Sequence, residues 1–217
     1  MPKYKLVLIL VLTVLASIGG GFLAQALLKK PPQSLTPPAG DNSSVPVPPF
    51  EFTERNGQRV GNADLKGKVW IASFVFTRCN GTCPQVAATL ARLQSELADV
   101  PDLRLVTFTI DPDRDTPDEL KKYAGRYRAE PDRWLFLTGA ENQIHALANG
   151  GFHVLAKKRP DGKPGDEFDH STFVVLVDKA GNIRDYYDGM PPLEGPRDKY
   201  EASLSRLKSD VRALAKE

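Results

Sequence analysis

Two cysteines, separated by three residues, are the part of this chain whose residue types and spacing could do chemistry. The sequence has 217 residues and two cysteines, Cys79 and Cys83, both within the segment FTRCNGTCP at residues 76–84. A turn can bring two sulfurs so spaced together, so that they close a disulfide or share a soft metal ion. Arg78 places positive charge beside Cys79, and positive charge favours thiolate over thiol.

A purely structural disulfide is the alternative to redox or metal chemistry. A bridge between residues four apart closes a very short loop, and it gains little from loop entropy. The C-x₃-C spacing also differs from the C-x₂-C expected of a thioredoxin-type oxidoreductase. The extra residue leaves room for the sulfurs to spread around an ion, so we favour redox or metal chemistry.

A third metal ligand must come from elsewhere, because two thiolates do not complete a usual site for Cu(II) or Zn(II). His145 is expected on a helix, as a residue at the protein surface or at the boundary of the core. His153 is expected on the polar side of a strand at residues 152–156. His170 ends a long polar loop at residues 157–169 and immediately precedes a predicted buried strand. In a thioredoxin-like sheet that loop lies against the cysteine turn, so His170 is the predicted third ligand.

The elements around the cysteines are a buried strand and a helix. Residues 69–76 form a near-continuous apolar run, typical of a strand buried on both faces. Residues 84–97 carry apolar side chains on one helical stripe. The cysteine turn therefore joins the carboxyl end of a strand to a helix N-terminus, where open α/β sheets place their chemistry and the helix dipole favours a thiolate.

The remaining pattern predicts a mixed α/β fold over residues 50–217. Thr116 is the predicted N-cap of a second helix, followed by proline and acids. The β-α-β-α order with a terminal hairpin and helix predicts a thioredoxin-like central mixed sheet flanked by helices. Further strands or helices are predicted at residues 50–53, 58–60, 103–110, 134–137, 142–148, 172–178, 183–187 and 201–215.

The N-terminal residues 1–30 predict a membrane anchor or a signal segment. Residues 6–28 carry no charge and would reach roughly 35 Å as a helix, enough to cross a hydrocarbon core of about 30 Å. We favour an uncleaved anchor. The alternative is a signal peptide cleaved at Ala24-Gln25-Ala26. The leader lacks the cysteine of a bacterial lipoprotein. Proline-rich residues 31–49 are predicted to form an extended linker.

Composition and charge exclude several classes of protein. Two cysteines exclude a disulfide-dense miniprotein and a Cys₄ zinc or iron–sulfur site within one chain. The formal charge of +2 is too small to suggest a nucleic-acid surface. Without the four lysines of residues 1–30, the chain has 25 basic and 27 acidic residues, so the exported part is mildly acidic.

Several separated motifs together resemble the Sco/SenC family of copper proteins, which are required for assembling the CuA centre of cytochrome c oxidase. The cysteine segment is similar to the family's metal-binding turn. TIDPDRDTP at residues 109–117 is similar to its Asp-Pro-x-Arg-Asp-Thr-Pro segment, and Leu137-Thr138-Gly139 and Asp169-His170-Ser171 follow in order. The resemblance covers about residues 47–215.

The resemblance implies copper, as Cu(I) or Cu(II), bound by Cys79, Cys83 and His170, with Asp111 and Asp169 in supporting roles. It implies a partner such as the CuA subunit of the oxidase or another exported copper protein. It also implies a bacterial inner-membrane location, through residues 6–28, with the soluble domain in the periplasm; a cleaved, secreted form is the alternative. Many relatives carry Pro-Asp where this chain has Asn80-Gly81, but neither position supplies a ligand.

Two functions stay open at this point. One is a copper-binding assembly factor that acts by copper delivery, thiol reduction or both. The other is an enzyme, a thiol:disulfide oxidoreductase acting on the cysteines of exported proteins without obligatory metal. The Asp-Pro segment likewise has a structural interpretation, in which Arg114 pairs with Asp111 or Asp115 and Thr116 caps a helix.

Overall fold

The structure, a computed structural model, describes residues 45–217. The predicted anchor or signal segment and most of the predicted linker lie outside the described residues. Between Val45 and Glu217, no helix combines the length and the apolar character needed to cross a membrane.

The described chain contains ten strands and five α-helices. The strands are β1 (Val45–Pro46), β2 (Glu51–Glu54), β3 (Arg59–Gly61), β4 (Trp70–Val75), β5 (Arg104–Thr109), β6 (Trp134–Thr138), β7 (Ala156–Lys158), β8 (Phe168–His170), β9 (Phe173–Val177) and β10 (Asn182–Asp188). The helices are α1 (Asn62–Leu65), α2 (Cys83–Glu96), α3 (Pro117–Arg126), α4 (Glu141–Ala146) and α5 (Asp198–Leu214), and a π-helical turn at Leu147–Gly151 follows α4.

Eight of the strands form one mixed sheet in the order β1-β10-β9-β4-β5-β6-β2-β3. Strands β4, β5 and β6 are parallel, and β9 pairs with β4 in the antiparallel direction. Every residue of β4 is buried, as its continuous apolar sequence predicts. The predicted mixed sheet flanked by helices is confirmed for the described residues. Strands β7 and β8 form a separate hairpin.

Helix α2 packs on the sheet through the predicted stripe, in which Val86, Leu90 and Leu93 are buried. The next helix, α3, begins as predicted, because the Thr116 side chain accepts a hydrogen bond from the Glu119 amide. Such a cap satisfies one of the free amides at the helix start. These two helices follow the cysteine turn and the Asp-Pro segment respectively, so they fix both loops at the carboxyl edge of the parallel strands.

The predicted strand at residues 152–156 is wrong, and so is the placement of His153 on it. His153 has a φ of +50° and lies after the π-helical turn, although it is exposed between two buried residues. The strand begins only at Ala156, where the Asn149 side chain bonds both the amide and the carbonyl of that residue. Strand β7 then pairs with β8, so both ends of the predicted polar loop are strands.

Candidate metal centre

The sheet brings the cysteine turn and His170 to the same edge. Strand β4 ends at Val75, and the chain turns through Cys79 before α2 begins at Cys83. Because β9 runs antiparallel to β4, with Val175 opposite Ala72, the chain enters β9 at the edge where β4 ends. His170 lies at the end of β8, just before that entry.

Three possible ligand atoms converge at this edge. The Cys79 and Cys83 sulfurs and a His170 ring nitrogen all lie within 4.8 Å of one another. His170 Nε2 is 3.2 Å from the Cys83 sulfur and 4.0 Å from the Cys79 sulfur. Cys79 and His170 border a cleft of about 220 Å³, whereas Cys83 is buried beneath it. Within residues 45–217, this is the only group of three or more His, Cys, Asp or Glu side chains with such geometry.

The His170 ring is oriented by its second nitrogen. Nδ1 lies 3.1 Å from the Ser171 carbonyl oxygen, and since a carbonyl can only accept, Nδ1 donates. In the neutral ring Nε2 then carries the lone pair, and this nitrogen faces the sulfurs. Thr82 Oγ1 lies 3.3 Å from Nε2, and the Phe76 ring packs edge-on against the imidazole. The ring is therefore positioned as a metal-binding histidine would be.

The two cysteines have different environments. Cys79 is partly exposed, and chiefly a hydrogen bond from the Cys83 thiol lowers its pKa to about 4, against a smaller opposing effect of burial. Cys83 is fully buried, and burial raises the pKa of its thiol far above the ordinary value. The pair therefore shares one proton at neutral pH, with a thiolate at Cys79 and a thiol at Cys83.

Asp115 anchors the start of the cysteine turn. Its carboxylate accepts hydrogen bonds from the Thr77 amide at 3.0 Å, the Thr77 hydroxyl at 2.6 Å and the Thr109 hydroxyl at 2.5 Å. Burial raises the pKa of Asp115, and these hydrogen bonds oppose that rise. The Asp-Pro segment thus has a structural role through Asp115, which ties the turn after β4 to the end of β5.

The two predicted supporting carboxylates lie beside the cluster, and neither belongs to it. Asp111 is buried behind the turn, 3.3 Å from Arg114 and 3.9 Å from Arg78. Asp169 borders the cleft and bonds Arg159 at 2.6 Å. Both carboxylates are therefore paired with guanidinium groups.

Two other residues near this edge have defined partners. His145 is half-buried on α4 and donates from Nε2 to the Ile110 carbonyl at 2.8 Å, which agrees with its predicted boundary position. Sequence reasoning missed Glu167, a buried acid that pairs with Arg78 at 2.8 Å. Its sequence context, a polar loop with several charges, does not distinguish it from its exposed neighbours.

Comparison with known proteins identifies the family. The SCO1/SenC family model matches residues 39–204. The chain belongs to the SCO1/SenC family. Three solved structures show how closely the fold is shared. A SCO1/SenC family lipoprotein from Bacillus anthracis is 31% identical, with a TM-score of 0.68 over 80% of this chain and 96% of that chain.

The other two structures are also of Sco proteins. BsSco, a member of the Sco family of cytochrome c oxidase assembly proteins with an identified disulfide switch, is 34% identical. Its TM-score is 0.66, over 81% of this chain and 96% of that chain. Yeast Sco1 with copper bound is 27% identical, with a TM-score of 0.58 over 78% of this chain and 94% of that chain.

The unequal cysteines of this SCO1/SenC chain predict selective alkylation. In the reduced, metal-free protein, iodoacetamide should modify Cys79 first, because Cys79 is exposed and thiolate is the nucleophile. Since the pKa of Cys79 is about 4, its rate should change little between pH 8 and pH 5. The alkylation rate of an ordinary cysteine, with a pKa near 8.5, falls about tenfold for each pH unit over that range.

Peptide mass mapping after limited alkylation measures this selectivity. Cys79→Ser is the control, and it should leave a protein that reacts slowly at Cys83. Equal modification of both cysteines in the parent, or a tenfold loss of rate per pH unit, would contradict the assignment.

Proposed function

We propose that this protein binds copper through Cys79, Cys83 and His170 and takes part in assembling the CuA centre of cytochrome c oxidase. The observation that carries the proposal is the convergence of two sulfurs and one imidazole nitrogen within 4.8 Å. Copper delivery, thiol reduction or both would be its contribution to assembly.

The donor set fits copper in both oxidation states. Soft thiolates favour Cu(I), and an imidazole allows the same site to hold Cu(II). Binding requires both sulfurs as thiolates, so a metal ion would displace the proton held at Cys83. The remaining residues hold the ligands in place: Ser171 orients the imidazole, and Asp115 fixes the start of the turn.

The relatives support this proposal by what they are known to bind and assemble. Yeast Sco1 has been solved with copper bound, and BsSco belongs to a family of cytochrome c oxidase assembly proteins. By this relationship the partner of the present chain is a copper protein, for which we propose the CuA subunit of the oxidase.

Copper titration of the reduced full-length protein in detergent tests the ligand set. His170→Ala and Cys83→Ala should each lower Cu(II) affinity by at least about 100-fold, since changes beyond the direct ligands already cost 10–100-fold. Absorption bands from sulfur-to-copper charge transfer report binding. His153→Ala, which removes an exposed histidine away from the cluster, is the matched control. Parent-like Cu(II) binding by both ligand variants would refute the assignment.

A second candidate function is thiol:disulfide exchange with another exported protein. The partly exposed Cys79, with its lowered pKa, favours it, because such a thiolate can attack a disulfide. The buried Cys83 would then act as the resolving thiol. This activity needs no metal and no histidine ligand.

A trapping experiment tests thiol exchange. Cys83→Ser removes the resolving thiol, so the variant should accumulate a mixed disulfide through Cys79 with a substrate such as the oxidised CuA subunit. Non-reducing gel electrophoresis and mass spectrometry detect the adduct. Cys79→Ser, with only the buried sulfur left, should trap at least about tenfold less. Equal trapping by both variants, or none by either, excludes this exchange mechanism.

We further propose a three-part organisation of the chain. Residues 1–30 would anchor the protein in the bacterial inner membrane, residues 31–49 would act as a linker, and residues 50–217 would form the copper-binding domain in the periplasm. The uncharged run at residues 6–28 supports the anchor, and the similarity to a lipoprotein of the same family is compatible with export.

N-terminal sequencing of the protein recovered from cell fractions tests the anchor. An intact N-terminus in the membrane fraction is expected. An N-terminus near residue 27 in the soluble exported fraction would instead indicate a cleaved signal peptide, and full-length protein confined to the cytosol would contradict export by either route.

A further inference from the structure

A loop between strands β7 and β8 docks onto the cysteine turn. We name residues 159–167 the latch loop; it lies immediately before β8, the strand that ends at His170. The loop and the turn are about 85 residues apart in sequence, but they contact each other directly through three kinds of interaction.

The first interaction is a pair of hydrogen bonds from Asn80, the residue after Cys79. Its amide donates to the Gly165 carbonyl at 3.0 Å, and its side-chain Nδ2 reaches the Pro164 carbonyl at 3.4 Å. The cysteine turn therefore forms hydrogen bonds with the latch loop through one backbone and one side-chain group.

The second interaction is a buried carboxylate. Glu167 accepts 2.8 Å hydrogen bonds from Arg78, the residue before Cys79, and from the Gly165 amide. Arg114 lies 3.8 Å from the same carboxylate. Glu167 thus binds both the cysteine turn and its own loop, and its burial means that water cannot easily replace either partner.

The third interaction is close packing at Gly165. This buried residue has a φ of +89°, and a Cβ added to it would overlap Asn80 Nδ2 and lie 3.2 Å from the Arg78 carbonyl oxygen. Since no side chain fits there, the loop backbone lies directly against the turn.

We propose that the latch loop holds His170 beside the two cysteines and so sets the preference of the centre for Cu(II) over Cu(I). The positioning residues are Glu167 and Gly165 on the latch loop and Asn80 on the cysteine turn. The inference rests on the proposed copper site, and it assigns a role to residues that supply no ligand.

The chemical basis is the different need of the two ions for the imidazole. Two thiolates suit Cu(I), whereas Cu(II) prefers nitrogen and oxygen ligands. Freeing the latch loop lets the β7–β8 hairpin, and with it His170, move away from the turn, while Cys79 and Cys83 stay on the turn and α2. When the latch loop separates from the cysteine turn, Cu(II) therefore loses its imidazole ligand, whereas Cu(I) keeps both sulfurs.

Glu167→Gln tests the charged contact in the full-length protein, with Asp161→Asn as the control. Asp161 is an exposed carboxylate on the same loop, so both variants remove one negative charge. Glu167→Gln should weaken Cu(II) binding about tenfold and Cu(I) binding, measured by chelator competition, less than about threefold. Such a difference raises the potential of the bound copper couple by up to about 59 mV. Asp161→Asn should match the parent.

Gly165→Ala tests the close packing, with Gly181→Ala as the control. Gly181 has the same φ of +89°, but a Cβ added there would have nothing within 4 Å, so only Gly165→Ala adds a clash to the backbone strain. Gly165→Ala should show the same selective loss of Cu(II) affinity. In a His170→Ala background neither latch variant should change Cu(II) affinity further, because the ligand that the latch positions is gone.

Hydrogen exchange of the metal-free protein supplies a readout that does not depend on copper. The Asn80 and Gly165 amides should lose protection in Glu167→Gln and keep it in Asp161→Asn, while the core strands are unchanged. Retained protection in Glu167→Gln, or equal losses of Cu(I) and Cu(II) affinity, would contradict the proposed role of the latch loop. If the parent itself binds no copper, the proposed function fails. Exchange of these two amides then still shows whether Glu167 holds the latch loop against the cysteine turn.

Discussion

Antiparallel pairing of β9 with β4 is the contact on which the candidate metal centre depends. Both strands lie in the middle of the sheet, and their register places Ile71 opposite Leu176 and Ala72 opposite Val175. A slip of two residues would shift the entry to β9 by roughly 6–7 Å. That shift exceeds the 4.8 Å within which the three ligand atoms lie. The ligand geometry thus depends on the register of this one strand pair.

The cysteine turn is anchored at both ends and partly exposed in the middle. Asp115 holds Thr77 at the start, and Cys83 is buried in the first turn of α2 at the end. Cys79 lies between these fixed points and stays partly exposed. One sulfur is therefore enclosed in the core, and the other faces the open side of the turn, where a partner can reach it.

Periodicity and residue spacing predicted the sheet, the main helices and the cysteine–histidine cluster, because those features are local or follow from strand order. His153 is exposed between two buried neighbours, as the sequence pattern predicts. A turn with a positive φ at His153, however, gives the same alternation of buried and exposed residues as a strand. The link between Asn80 and Gly165 could not be predicted, because it joins two polar loops distant in sequence. Neither loop carries a periodic pattern that would indicate its partner.

Copper binding and thiol exchange use the same two sulfurs, so they exclude each other in time. A metal ion bound by Cys79 and Cys83 leaves no thiolate free to attack a disulfide, and a Cys79–Cys83 disulfide leaves no thiolate for a metal. The reduced, metal-free protein lies between these two states, and it holds a proton at Cys83 that metal binding must displace. If both functions operate on one partner, reduction of that partner's cysteines must therefore come first, and copper must be loaded after an external thiol reductant has returned the Cys79–Cys83 disulfide to two thiols.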